Sequence, residues 1–175
     1  MSSRIKVISV LFFILLSSGC SHHLTVVEQN DQAVAELTSL GIEAAKTKKG
    51  VTIYLPPDIN FEENKSDIRL SARSKIAEIS RELNKSYLAG RAIEVSGHTN
   101  SNGDPQVNLA LSKNRAQAAA EELVFSKVLL SRLKITWHGE TMPRFPEFDE
   151  SGNPILESRK LNRRVEFIIL NPGEG

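Results

Sequence analysis

Apolar residues change their period several times along the chain, and each change marks an element. Val26, Ala33, Leu37, Leu40 and Ala44 recur at helical spacing, which predicts an amphipathic helix that Gly41 weakens. Val51, Ile53 and Leu55 alternate with Thr52 and Tyr54 as a half-buried strand, and Pro56-Pro57 ends it. A helix follows from Ser71, a candidate N-cap. Ala72, Ile76, Ile79, Leu83 and Tyr87 form its buried stripe, with Lys75, Glu78, Arg81 and Glu82 on its solvent face. Ile93 and Val95 alternate with Glu94 and Ser96, an alanine-rich helical run starts near Asn108, and Leu133, Ile135 and Trp137 alternate again. Residues 144–158 form a long loop with Pro146, Gly152 and Pro154, of a length usually functional or mobile. Val165 to Leu170 is apolar on both faces, so it belongs in the middle of a sheet. The order strand, helix, strand, helix, strand, strand predicts an α/β fold, a two-layer β-α-β-α-β-β sandwich.

Length allows one such domain plus an extension in 175 residues. The extension is N-terminal. Arg4 and Lys6 precede the apolar run Val7 to Leu16, which is too short to span a bilayer at roughly 20 residues and reads as a secretory signal. Leu16-Ser17-Ser18-Gly19-Cys20 follows, and it resembles the bacterial lipoprotein cleavage site. That resemblance implies a signal over 1–19, an acylated Cys20 as the mature N-terminus, and, from Ser21 after it, outer-membrane sorting. Cys20 is the only cysteine, so no disulfide forms within the chain. Residues 20–49 are then a lipidated tether, partly helical, and the domain covers 50–175. Packing on the domain, self-association and a merely nascent helix are all open for the tether. Fully helical, its residues would reach about 45 Å; fully extended, about 100 Å. Without Arg4 and Lys6, 20 basic residues face 21 acidic ones, a net charge near −1 that gives no sign of a nucleic-acid partner.

The chemistry concentrates between Ile93 and Val124. Gly97, Gly103 and Pro105 break the strand into a polar loop, and the helix begins next to it. At 100° per residue, Asn108, Leu111 and Arg115 fall on one narrow stripe that starts beside the loop. An arginine, an amide and an apolar contact thus converge on a loop full of hydrogen-bonding groups. The arginine is a planar fork suited to a carboxylate.

The same residues carry a resemblance. Gly97-His98-Thr99-Asn100, Gly103, Asn108, Leu111-Ser112 and Arg115-Ala116 keep the spacing of the signature of the OmpA-like domain, with one departure, Asn100 in place of an aspartate. His138-Gly139-Glu140-Thr141-Met142-Pro143 and Asn162-Arg163-Arg164-Val165 are similar to two further tracts of that family. The resemblance implies noncovalent binding of peptidoglycan, with the diaminopimelate of a stem peptide as the recognised group. It implies that Arg115 grips a carboxylate, that Asn100 stands where an aspartate takes the ammonium, and that Asn108 and Arg163 complete the pocket. It also places Phe61 and Ile68 at apolar positions of the groove, and Asn64 at a position that contacts ligand in some members.

Asn100 keeps the aspartate's shape without its charge. A hydrogen bond to a charged group is worth about 1.5–3 kcal/mol against about 0.5–1.5 for a neutral pair, so affinity falls by roughly one order of magnitude. Asp104, Glu62 or Glu63 could restore the charge. A second reading, a periplasmic protein partner held by the tether or by the 144–158 loop, stays open. Catalysis is not expected. His98 and His138, with Glu94, Glu140 or Asp104 as partners, form no recognisable triad, and no metal, phosphate-binding or nucleophile motif is present. No cofactor is called for, and His22 and His23 read as solvated residues rather than metal ligands.

Overall fold

The computed structural model describes residues 24–55, 61 and 65–174. Among them are four α-helices and a five-stranded sheet: α1 (Val26–Ser39), β1 (Glu43–Thr47), β2 (Gly50–Leu55), α2 (Leu70–Leu83), β3 (Ile93–Gly97), α3 (Pro105–Phe125), β4 (Leu133–Trp137), α4 (Leu156–Asn162) and β5 (Val165–Leu170). The sheet runs β1-β2-β5-β3-β4, antiparallel except for the parallel pair β3 and β4. The α/β two-layer architecture is the expected one, and β5 lies at its centre because Val165, Phe167 and Ile169 are all fully buried.

Residues 24–49 correct the expected boundary at Gly50. They pack on the domain as α1 and β1, with Ala33 and Leu37 in the same core as Ile53, Ile79 and Phe167. Thr25 starts α1 with a capping box, its hydroxyl accepting from the Glu28 amide while the Glu28 side chain accepts from the Thr25 amide. Gly41, which weakens the sequence pattern, ends the helix. At φ 69° it lets the Gly41 and Ile42 amides donate back to the Thr38 and Leu37 carbonyls, and Ile42 joins Leu37 in the core. The sequence conceals β1 because Glu-Ala-Ala-Lys-Thr has little strand propensity, as suits an edge strand.

Two details of α2 also differ. Its N-cap is Arg69 rather than Ser71, and it makes no side-chain cap bond. Glu82 is buried rather than solvent-facing, accepting from the Tyr87 hydroxyl and pairing with Lys85 at 2.7 Å.

The chain direction sorts the connections into two poles. At the lower pole lie the β1–β2 turn, residues 84–92, residues 126–132 and Asn171. Buried Arg91 fastens this pole, donating to the carbonyls of Leu170 (2.9 Å) and Ile169 (3.3 Å) and to the side chains of Asn30 (2.7 Å) and Asn171 (3.2 Å). Arg132 does the same for the Arg91, Leu83 and Leu88 carbonyls. At the upper pole the loops after β3 and β4 meet α4. No helix among the described residues is long and apolar enough to cross a membrane.

Candidate functional site

The upper pole gathers most of the expected site residues. Asn100, Asn108, Leu111, Arg115 and Arg163 line one small cleft, together with Thr99 and Asn102. Glu62, Glu63 and Asn64 lie outside the described residues, as does Cys20.

Local chemistry fixes the start of α3. Asp104 caps it, one carboxylate oxygen accepting from the Gln106 amide at 2.8 Å and the Val107 amide at 3.1 Å, and Pro105 occupies the first turn. The helix therefore begins three residues before Asn108. Gly97 permits the helix to lie against β3, since a Cβ there would stand 2.1 Å from the Ser112 carbonyl oxygen. The Ser112 hydroxyl in turn accepts from the Gly139 amide at 3.0 Å, tying the loop after β4 to α3.

Arg115 is the centre of the cleft. Only 3% of it is exposed. Its Nε donates to the Lys65 carbonyl at 3.0 Å, and its guanidinium lies 5.1 Å from the centre of the Phe61 ring. Burial first, and the neighbouring Arg163 charge second, pull its pKa down to about 10. It still carries its charge at neutral pH. No acidic residue appears among the described residues lining this cleft. Two cations in a partly dry cleft whose described lining holds no carboxylate are suited to an anion. The Thr99 hydroxyl, buried and without a partner among the described residues, adds a further hydrogen-bonding group there.

The amides serve a second purpose. Asn108 Nδ2 donates to the Asn100 and Asn102 carbonyls, both at 3.2 Å, and to Glu140 at 2.7 Å. It lines the cleft and also holds the loop closed. Asn100 is buried, and its side-chain oxygen accepts from the Asn102 amide at 3.3 Å in an Asx turn. Asp104 is not among the residues lining the cleft; one of its carboxylate oxygens caps α3 instead. Glu140 joins that loop's hydrogen-bond network by accepting from Asn108.

Two structural residues escape a reading of the sequence. Asn162, fully buried, accepts from the amides of Arg144 and Phe145 and donates to the Phe145 carbonyl and to Glu147. Glu147 also accepts from the Ser101 amide (2.9 Å) and hydroxyl (2.7 Å), linking the loop after β4 to the loop after β3. Burial alone would raise the Glu147 pKa, but the bonds from Ser101 and Asn162 and the Arg159 charge outweigh it and hold the carboxyl below its usual range. The 144–158 loop is thereby tied to the site wall, and its last residues form the start of α4. The Asn-Arg-Arg-Val tract was the one signal for Asn162; nothing in the sequence marked Glu147. Within that tract Arg163 lines the cleft, whereas Arg164 is buried against Glu166 at 2.6 Å.

His98 is buried behind the loop. Its Nε2 shares a hydrogen bond with Ser96 Oγ at 3.0 Å, its ring stacks on His138, and its Nδ1 has no partner among the described residues. Burial, then the Arg164 and His138 charges, pull its pKa down to about 3.

The OmpA family model matches residues 60–154, more than half of the chain. The chain belongs to the OmpA family. A peptidoglycan-associated lipoprotein of Mesorhizobium japonicum is 32% identical over 143 residues, covering 81% of each protein. A photosystem I P700 chlorophyll a apoprotein A2 of Gloeobacter violaceus is 31% identical over 120 residues, 69% of this chain, but this chain spans only 14% of that protein. The crystal structure of a MotB-like protein from Desulfovibrio vulgaris superposes with a TM-score of 0.67 at 21% identity, covering 82% of this chain and 92% of that one, and so shares the OmpA-family fold.

Proposed function

We propose that this OmpA-family chain binds peptidoglycan noncovalently, with Arg115 and Arg163 receiving a carboxylate of diaminopimelate in a stem peptide. The observation that carries the reading is the pairing of these two guanidinium groups in a cleft whose described lining contains no acid. A carboxylate ligand would supply a counter-charge that the described lining does not give Arg115, and a bidentate pair would give the orientation. The relative from M. japonicum, named a peptidoglycan-associated lipoprotein, supports the same reading. Asn100 meets the ligand's ammonium with a neutral amide, so binding is about tenfold weaker than a carboxylate there would give.

Outer-membrane attachment through an acylated Cys20 belongs to the same proposal. The packing of α1 shortens the expected tether to the few residues between Cys20 and Thr25, about 17 Å at full extension. We read the chain as a binder without a catalytic step. His98 is neutral, buried and hydrogen-bonded to Ser96, which suits a support for the loop and not a proton carrier. A protein partner at the 144–158 loop is the second reading, favoured by the exposed side chains of Phe148 and Leu156 at its surface.

Sedimentation of the full chain with purified sacculi in mild detergent tests the first reading. The native chain sediments with the wall. Removing the partner of a buried charge typically costs about 3 kcal/mol, so Arg115→Met weakens binding more than a hundredfold. Asn100→Asp strengthens it about tenfold. Sedimentation of Arg115→Met equal to native would overturn the carboxylate site.

A further inference from the structure

The lower pole has a chemistry of its own. α3 ends there with Lys127 in the left-handed region at φ 73°, and the chain turns so that three large apolar side chains stay outside. Phe125 is 81% exposed, Leu129 65% and Leu130 68%. Leu130 adjoins Ala120, Val124 and Ile135 in an open groove beside α3. Exposed apolar residues also occur nearer the cleft, but Leu70, Val107 and the pair Phe148 and Leu156 come from three separate segments. At the lower pole they come from one short stretch, and a contiguous apolar patch marks an interaction surface. Glu121 flanks the groove, and Glu122 beside it pairs with Arg73 at 3.1 Å.

Two observations indicate what covers this pole. The first is charge. Lys48 in the β1–β2 turn, Lys127 after α3 and Lys134 at the start of β4 are exposed and have no ion-pair partner among the described residues. The second is where the chain joins the fold. Asn30, one turn into α1, donates to Asn171 at 3.1 Å and accepts from Arg91 at 2.7 Å, which fastens the beginning of α1 at this same pole. An acyl chain on Cys20 is separated from Thr25 by so few residues that the lower pole cannot leave the headgroup region by more than about 17 Å.

We propose that the lower pole rests on an anionic phospholipid surface, with Phe125, Leu129 and Leu130 entering the headgroup layer and Lys48, Lys127 and Lys134 against lipid phosphates. The proposal rests on the acylation of Cys20 included in the proposed function. Basic side chains near anionic lipid and apolar side chains at the headgroup boundary add to the anchor, as interfacial proteins combine them. The consequence is orientation. Arg115 lies ten residues before Phe125 on α3, about 15 Å up the helix, and the Asn100 and Asn108 side of its cleft lies higher still, so the cleft is held facing away from the bilayer.

The single tryptophan makes this testable, because Trp137 sits at the upper end of β4, opposite Gly97. The full acylated chain is placed in vesicles of phosphatidylglycerol and phosphatidylethanolamine with brominated acyl chains. Native emission is compared with that of Phe125→Trp made together with Trp137→Phe. The expected result is at least twofold quenching of the indole at position 125, with native Trp137 unchanged. A vesicle-bound chain whose position-125 indole is unquenched, or both indoles quenched alike, overturns the proposal. A full chain with Cys20→Ala is run alongside. If native protein carries no acyl mass and partitions no better than Cys20→Ala, the anchor reading fails and takes this proposal with it. Leu129→Ser with Leu130→Ser, both at exposed positions, must lower the quenching at 125 at least twofold; no change would also count against it.

Discussion

Arg115 illustrates how one residue's environment states its work. A buried guanidinium whose described neighbours offer a carbonyl, a phenyl ring and another cation is held at a cost to folding. Arg115→Met is therefore expected to leave stability unchanged or to raise it by up to about 2 kcal/mol in urea unfolding, while binding is lost. A large destabilisation would mean the arginine is a structural member and not a binding one. Two other residues set pH windows. His98 is held neutral by burial, with a folded pKa of about 3 against an ordinary 6.5, so the unfolded chain takes up its proton first. Stability is expected to fall as pH drops below that ordinary value, by at most about 1.4 kcal/mol per pH unit. Glu147 acts lower down. Its folded pKa lies below the ordinary 4.5, so its contribution is present above that value and lost as pH falls through the folded one. Unfolding midpoints measured across acid pH should show a flatter acid limb in Glu147→Gln.

At the scale of elements, α1 is part of the domain, and its loss should be felt throughout. Leu37 is fully buried in the common core, and Leu37→Ala is expected to cost about 2–5 kcal/mol in a single cooperative transition. A separate, earlier transition for α1 would show that it is merely appended. Lys127→Gly tests the other helix end. It removes the left-handed strain after α3 and should add about 1 kcal/mol of stability in the same assay.

These elements also show what was legible in the sequence. Asn108, Leu111 and Arg115 could be placed on one face because helical geometry alone determines it, and β5 could be placed centrally because both of its faces are apolar. The packing of α1 was invisible, since an amphipathic stripe does not say what covers it. Asn162 and Glu147 were invisible as partners because their bonds join segments far apart in the chain, and no local pattern encodes such a contact.

The molecule as a whole has two poles with different surfaces. The upper pole presents the cationic cleft, and the lower pole carries the start of α1, exposed lysines and an apolar patch. With residues 24–49 folded, the proposed anchor at Cys20 would hold the cleft at a distance set mainly by the domain and not by a long flexible tether. The central claim is that the cleft recognises a free carboxylate on a peptidoglycan stem peptide. Calorimetric titration of the full chain with a soluble diaminopimelate-containing stem peptide, compared with the same peptide amidated at the free diaminopimelate carboxylate, tests it most directly. The expected result is binding to the first, and a loss of more than a hundredfold on amidation. Equal affinity for both peptides would contradict it.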